Sequence, residues 1–428
     1  MSEMKVKKTT LLTGKAVRLA SRLRGGGSAM PGLIIERIDP HFLKHTLDSL
    51  PLGTVVISGT NGKTTTTKIV VELLESQGLS VFTNPTGSNF KRGVISSIIE
   101  KIKLNGSFKY DIAVLELDEA HAVHFVREVR PTYSLLLNVM RDQLDRFGEI
   151  DTTAQMLETI ALATKKGVVL NREDRRVRAI AKKLKKQTVR YFGLSRKTLD
   201  HFPNDDDLYG RTTKLAIEAS SQNDVILEDF KGQVALFSYN GKHIKTPLKL
   251  QGAYNIYNSA AALALIELIC GDQINEERLV TSLSQVEPAF GRGEKLLIDG
   301  IPLELVLVKN PSGFRLGLSS FSSEDTATMI AINDDYADGR DMSWLWDVDF
   351  ISLRKRGVRM VSGIRAYDMA LRLQYDEVQC DFVETDLGHA LKKFLSETSR
   401  PKRIFCTYTA MLTLRRELKK YTKLERVL

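Results

Sequence analysis

Apolar and polar positions along the chain follow two alternating patterns. Short β-branched runs are separated by stretches in which apolar residues recur every three or four positions. Thr54–Ile57 reads as a buried strand, Lys63–Gln77 as a helix stopped at Gly78, and Leu79–Thr83 as the next strand. Ile112–Leu117, Tyr133–Asn138, Gly167–Asn171 and Val189–Phe192 continue the series. Apolar strands divided by helices predict a doubly wound α/β domain with a mostly parallel sheet. Between Gly193 and Leu250 the pattern becomes turn-rich, then alternates over Gln233–Tyr239 and closes on Asn240-Gly241, a hairpin signal. A small antiparallel insertion over 193–250 is therefore expected, before helical character returns at Ala253–Ile269.

A second α/β series begins near Gly300. Its candidate strands are Leu303–Val308, Thr328–Ile332, Val348–Ile351, Arg359–Val361 and Ile404–Cys406, with helices at Ala366–Tyr375 and Leu387–Thr398. No internal repeat appears. The expected organisation is a basic helical segment at 1–50 packed on a central domain at 51–294, followed by a second, Rossmann-like α/β domain at 295–428. A chain of 428 residues is long enough for two or three cores.

Composition narrows the class. Apolar content of 43% with 27% charged residues is that of a globular protein. No apolar run reads as long enough to cross a bilayer, and no secretory signal is apparent. Cys270, Cys380 and Cys406 are scattered without CxxC spacing, so neither a disulfide framework nor a zinc site is expected, and a cytoplasmic setting follows. The net charge of +10 is concentrated at the start. Lys5, Lys7, Lys8, Lys15, Arg18, Arg22 and Arg24 interleave with Leu11, Leu12, Val17, Leu19 and Leu23 as in an amphipathic helix ended by Gly25-Gly26-Gly27. Packing on its own domain is the preferred reading, and contact with an anionic substrate or peripherally with a membrane is the alternative. No nucleic-acid partner is expected, because no recognition motif accompanies the charge.

The chemistry concentrates after the first strand. Gly59-Thr60-Asn61-Gly62-Lys63-Thr64-Thr65 lies between a strand and a helix, the setting of a phosphate loop. Its glycines let backbone N–H groups face phosphate oxygens, and the helix N-terminus adds the positive end of a dipole. Lys63 is placed to reach the β- and γ-phosphates of ATP, and Thr64 to offer its hydroxyl to Mg²⁺. Glu116 closes a strand beside the loop, where a carboxylate could bind Mg²⁺, with Asp118 and Glu119 as competitors. A charged cluster follows the next strand at Asn138–Gly148. Asn255 and Asn258, three apart on one helix face, exceed what capping alone requires.

Together these residues resemble the Mur ligase family, which includes folylpolyglutamate synthase. The matching pieces are Gly59–Thr65, Glu116 in Leu115-Glu116-Leu117, Asp142–Arg146, and Asn255 with Asn258. The resemblance implies a Mur ligase central ATPase domain that joins nitrogen to a carboxylate through an acyl phosphate made from ATP. It gives Lys63, Thr64 and Glu116 to phosphate and Mg²⁺, Asn258 to the adenine, and Arg292 to the phosphates. Val308–Gly313, Asn333–Asp341, Ser343–Asp347 and Gly363–Ala366 resemble the C-terminal domain of the family's amidating branch. Such a ligase phosphorylates the α-carboxylate of D-glutamate in the stem peptide of lipid II at the inner face of the membrane. Ammonia from a GatD-type glutaminase subunit then leaves D-isoglutamine. Asp341 matches the residue that completes the glutaminase's Cys–His pair; read from the residues alone, it is a turn residue. Trp344 and Trp346 are packing residues or, if exposed, part of a partner surface.

Three departures accompany the resemblance. The four-cysteine zinc ribbon of many such subunits has no counterpart between Gly193 and Leu250, so zinc is expected to be absent. Gln143 stands where amino-acid-adding members have a His for a second Mg²⁺, and Val306 where they have a ribose-binding Asp. Two other functions compete: a stand-alone ligase adding an amino acid, and a nucleotide-binding regulator of a glutaminase.

Overall fold

The computed structural model describes residues 8–23, 30–84, 89–140, 150–199, 201–202, 224–250, 252–287, 292–320, 325–396 and 399–422. The first sheet has the order β2-β3-β1-β4-β5-β6-β7-β8-β9. Its strands are β1 Gly53–Ser58, β2 Val81–Thr83, β3 Ile112–Glu116, β4 Tyr133–Leu136, β5 Gly167–Asn171, β6 Thr188–Leu194, β7 Val225–Lys231, β8 Val234–Tyr239 and β9 Lys242–Pro247. Pairing is parallel from β2 through to β7 and antiparallel from β7 to β9. The expected insertion thus extends the edge of the main sheet. Asn240 and Gly241, at φ 46° and 71°, make the β8–β9 turn with both central residues left-handed, as a two-residue hairpin prefers.

The helices follow from the sequence periodicity. α1 Lys8–Leu23, α2 Met30–Ile38 and α3 Phe42–Asp48 precede the sheet; α4 Lys63–Ser76, α5 Lys91–Lys101, α6 Glu119–Glu128 and α7 Ile150–Ala163 alternate with its strands. Short helices α8 Arg175–Ala179 and α9 Arg196–Leu199 come next, then α10 Ala253–Cys270 and α11 Glu276–Gln285. One apolar cluster joins α4, α10 and α11 to one face of the sheet, and another joins α1–α3 and α5–α7 to the other. No bilayer-length apolar run was expected, yet Ala253–Gln273 meets that test of length and composition. Ile256–Ile266 is buried throughout, however, so the middle of α10 is a core helix packed in protein, with its two ends half-buried.

The second sheet has the order β10-β11-β15-β12-β13-β14 and is parallel except for β10. Its strands are β10 Arg292–Ile298, β11 Ile301–Leu307, β12 Ala327–Ala331, β13 Val358–Ser362, β14 Cys380–Glu384 and β15 Lys402–Cys406. Helices α12 Pro311–Ser320, α13 Ala366–Tyr375, α14 Leu387–Ser396 and α15 Tyr408–Leu418 complete it. The strand expected at Val348–Ile351 is not one. Arg372 donates to the Val348 carbonyl at 2.6 Å, while the Phe350 and Ile351 amides donate to Asp376 and Asp349 at 2.7 Å each. Side chains there take the backbone groups that a strand ladder would use. β10 and β14 were not expected.

Candidate active site

β1 leads into α4 on one face of the first sheet, and β3 leads into α6 on the other. The carboxyl ends of β1 and β3 therefore form a topological switch point, where open α/β sheets bind ligands. The register sets Ile57 against Glu116, which brings the glutamate to the mouth of the loop.

The loop is tied from several sides. The Thr60 amide donates to the Asn138 carbonyl at 3.0 Å, and the Asn61 amide to Asn138 Oδ1 at 2.8 Å. Asn138 returns a bond to the Asn61 carbonyl at 3.0 Å, and the Met140 amide donates to Thr60 Oγ1 at 3.1 Å. Gly62 caps α4 with φ 89°, and a Cβ there would lie 2.7 Å from Asn258 Oδ1. Only glycine fits that approach. The fold thus presses Asn258, itself buried, against the last turn of the loop.

Lys63 and Glu116 are both buried, as ordinary surface residues are not. Lys63 Nζ donates to the Gly59 carbonyl at 2.5 Å and forms an ion pair with Glu119 at 3.2 Å. Thr64 Oγ1 donates to Glu116 Oε1 at 2.9 Å. Asn84 fixes Glu116 by a reciprocal pair, donating to its carbonyl at 2.9 Å and accepting from its amide at 3.0 Å. Thr65 is buried beside them. Thr64 and Glu116 supply two hard oxygen donors, which suits Mg²⁺, an ion that completes its shell with phosphates and water. Among the described residues there is no group of three or more His, Cys, Asp or Glu that could hold a metal by protein ligands alone.

Glu119 carries more of this site than its place as a competitor suggested; Asn84 gave no sequence signal, and Asn138 signalled only the end of a strand and the start of a charged cluster. Asn310 is fully buried; it caps α12 by accepting from the Gly313 amide at 2.7 Å and donates to Asn61 Oδ1 at 3.2 Å. Asn followed by Pro is a helix-start signal, but the contact with the phosphate loop is long-range. Asp142, Gln143, Asp145 and Arg146 lie outside the described residues, as does the Arg292 side chain. Val306 is buried in β11, opposite Arg292.

Asp341 sits elsewhere, on the connection after β12. Its Oδ1 accepts from the Ser343 amide at 2.9 Å, an Asx turn that leads into the 3₁₀ turn Ser343–Asp347. The same connection is anchored further back. Asn333 donates to Thr409 at 3.1 Å and accepts from the Ile364 amide at 3.0 Å. Asp338, also buried, accepts from both the Thr409 amide (2.8 Å) and its hydroxyl. Burial raises the Asp338 carboxyl above the usual range. Gly363, at φ 95°, allows β13 to end against this connection; a Cβ would lie 2.4 Å from the Ile332 carbonyl oxygen. Trp344 is buried against Phe314, whereas Trp346 is half exposed and meets Tyr375 edge-on at 5.0 Å.

Comparison with known proteins bears on both halves. The Mur ligase middle domain matches residues 57–266, and the MurT ligase C-terminal domain matches residues 307–411. The chain is 30% identical over 413 residues to the lipid II isoglutaminyl synthase (glutamine-hydrolyzing) subunit MurT of Staphylococcus aureus, spanning 90% of this chain and 92% of that one. It belongs to the MurT branch of the Mur ligase family. The MurT subunit of Streptococcus pneumoniae is 28% identical over 443 residues, spanning 95% and 96% of the two chains. In structure, the MurF ligase of Thermotoga maritima in complex with ADP superposes with a TM-score of 0.64 at 18% identity, covering 88% of this chain and 82% of that one. The MurT match covers both sites described above, the phosphate loop and the Asp341 connection.

Proposed function

We propose that this chain is the ATP-dependent ligase subunit of a lipid II isoglutaminyl synthase, with a central ATPase unit at 51–294 and a C-terminal ligase unit at 295–428. The observation that carries this reading is the buried Lys63–Thr64–Glu116 constellation at a phosphate loop, in a chain matched to MurT over nine tenths of its length. A carboxylate oxygen of D-glutamate in the stem peptide attacks the γ-phosphorus of ATP, and the bond to ADP breaks. Lys63 and the loop amides offset charge on the transferring phosphoryl group. Thr64 and Glu116 would hold Mg²⁺, which supplies positive charge to the phosphates. Asn258 borders the nucleotide end of the loop. The nitrogen lone pair of ammonia then attacks the acyl carbon, phosphate leaves with the C–O electrons, and the nitrogen loses one proton.

Free ammonia is scarce at neutral pH, so a docked GatD-type glutaminase is its source. Asp341, on a half-exposed turn, orients the partner's histidine. The surface around it suits a protein partner. Tyr367, Leu371 and Tyr375, spaced four apart on α13, are exposed together with Trp346 and Tyr336. The lipid-anchored substrate sets the work at the cytoplasmic face of the membrane.

The test is to purify the chain with a GatD-type glutaminase and supply ATP, glutamine and lipid II. The expected product is amidated lipid II by mass spectrometry. ATP hydrolysis that depends on a free amino acid, without amidation, would instead indicate a stand-alone ligase.

A further inference from the structure

The N-terminal helix is packed on one side and apolar on the other. Thr10, Leu11 and Gly14 of α1 are buried, and Leu11 and Ile35 of α2 share the apolar cluster under the first sheet. Lys15 donates to the Ile99 carbonyl at 3.1 Å, Arg18 to the Ser96 carbonyl at 3.2 Å, and Arg18 also pairs with Glu100. These bonds hold the helix in one rotational setting. The outward arc then carries Lys8, Thr9, Leu12, Ala16, Leu19 and Ala20, with Leu12 58% and Leu19 63% exposed. Leu12 and Leu19 are seven apart and fall on the same line of the helix.

Charge adds a second, independent observation. Between Glu3 and Glu36 the sequence has no Asp or Glu, against seven Lys and Arg from Lys5 to Arg24; Lys15 and Arg18 are bonded to α5, and Lys8 lies on the outward arc. An apolar arc within an uninterrupted basic segment complements an anionic lipid surface. The arc itself is aliphatic and lacks the aromatic residues that mark protein-docking surfaces, in contrast to α13. Sixteen residues of helix span about 24 Å, short of the ~30 Å hydrocarbon core, and one face is already packed, so the geometry of α1 suits lying along a surface and not crossing a bilayer.

We infer that the outward arc of α1 docks this protein on an anionic membrane surface through Leu12 and Leu19. This rests on the reading that the substrate is lipid-anchored, and it places the phosphate-loop unit at that surface.

The experiment is co-sedimentation of the full chain with phosphatidylglycerol-rich or pure phosphatidylcholine vesicles, which requires no catalysis. The wild type should bind the anionic vesicles and not the neutral ones. Leu12→Ser with Leu19→Ser should weaken binding by roughly tenfold or more, with thermal unfolding and turnover of a soluble stem-peptide substrate unchanged. Equal vesicle binding by the double variant overturns the inference, as does an absence of wild-type binding. Loss of glutaminase co-purification or of self-association in the double variant, with vesicle binding intact, also overturns it and assigns the arc to a protein interface. Vesicle binding that persists while amidation fails counts against the proposed reaction alone.

Discussion

Two connections leave the carboxyl ends of parallel strands in this molecule, and they are built in opposite ways. The loop after β1 is largely buried and tied at several points: Asn138 brackets it, Lys63 turns back to Gly59 and Glu119, and Asn258 closes against Gly62. The connection after β12 is fixed at its root by Asn333 and Asp338, but its tip is open, with Tyr336 87% exposed. The first arrangement suits a small, highly charged ligand that must meet donors already in place. The second suits presentation of one side chain to a macromolecule. The proposed division of labour follows: one loop activates the acid, and the other secures its nitrogen.

The sharpest way to break this comparison is at Lys63. Lys63→Ala should lower amidation by a factor of about a thousand or more with glutamine and with ammonium alike, since phosphoryl transfer precedes both. Activity retained with ammonium would show that the loop does not serve the chemical step. Asp341→Asn should separate the nitrogen sources. Glutamine-dependent amidation is expected to fall by roughly a thousandfold or more, since neutralising a triad carboxylate costs up to about 10⁴. Ammonium-dependent turnover should stay within a few-fold of wild type. Equal loss with both sources would remove Asp341 from the partner's site and leave it as a turn residue bonded to Ser343.

The phosphate loop was legible because its signals are local: two glycines, Lys-Thr, and a strand-to-helix switch lie within a few residues. Glu116 was legible for the same reason, at the end of an unbroken apolar strand. What pins these residues was not. Asn84, Asn138 and Asn310 reach the site through strand order and domain packing, and an isolated Asn reads first as a cap or turn. Val348–Ile351 misled because its apolar, β-branched composition fits a strand, while the side chains that take its backbone groups, Arg372 and Asp376, lie more than twenty residues away. The amphipathic pattern of α1 was equally plain, but which face packs depends on α2 and α5.

Asn310→Ala probes the link between the two halves. It removes the α12 cap, worth about 1 kcal/mol, together with the bond to Asn61. The Michaelis constant for ATP should rise several-fold in a coupled assay, with binding of the glutaminase unchanged. An unaltered constant would mean that the phosphate loop is set without help from the second sheet.

The smallest expected effect is at Asp338, and its sign tests the anchoring of the open connection. Burial raises this carboxyl above its usual 3.8, so the folded state holds the proton at pH values where the unfolded chain has released it. Its contribution to stability is therefore greatest below pH 3.8 and declines as pH rises through the folded value. Asp338→Asn cannot titrate and keeps an oxygen to accept from the Thr409 amide. The stability difference, wild type minus variant, should grow as pH is lowered from neutral through this window in denaturant titrations. Glutamine-dependent activity should stay within a few-fold of wild type, because the root of the connection is still held. A difference independent of pH would show that the Asp338–Thr409 contact is solvated, and that the connection is anchored by Asn333 alone.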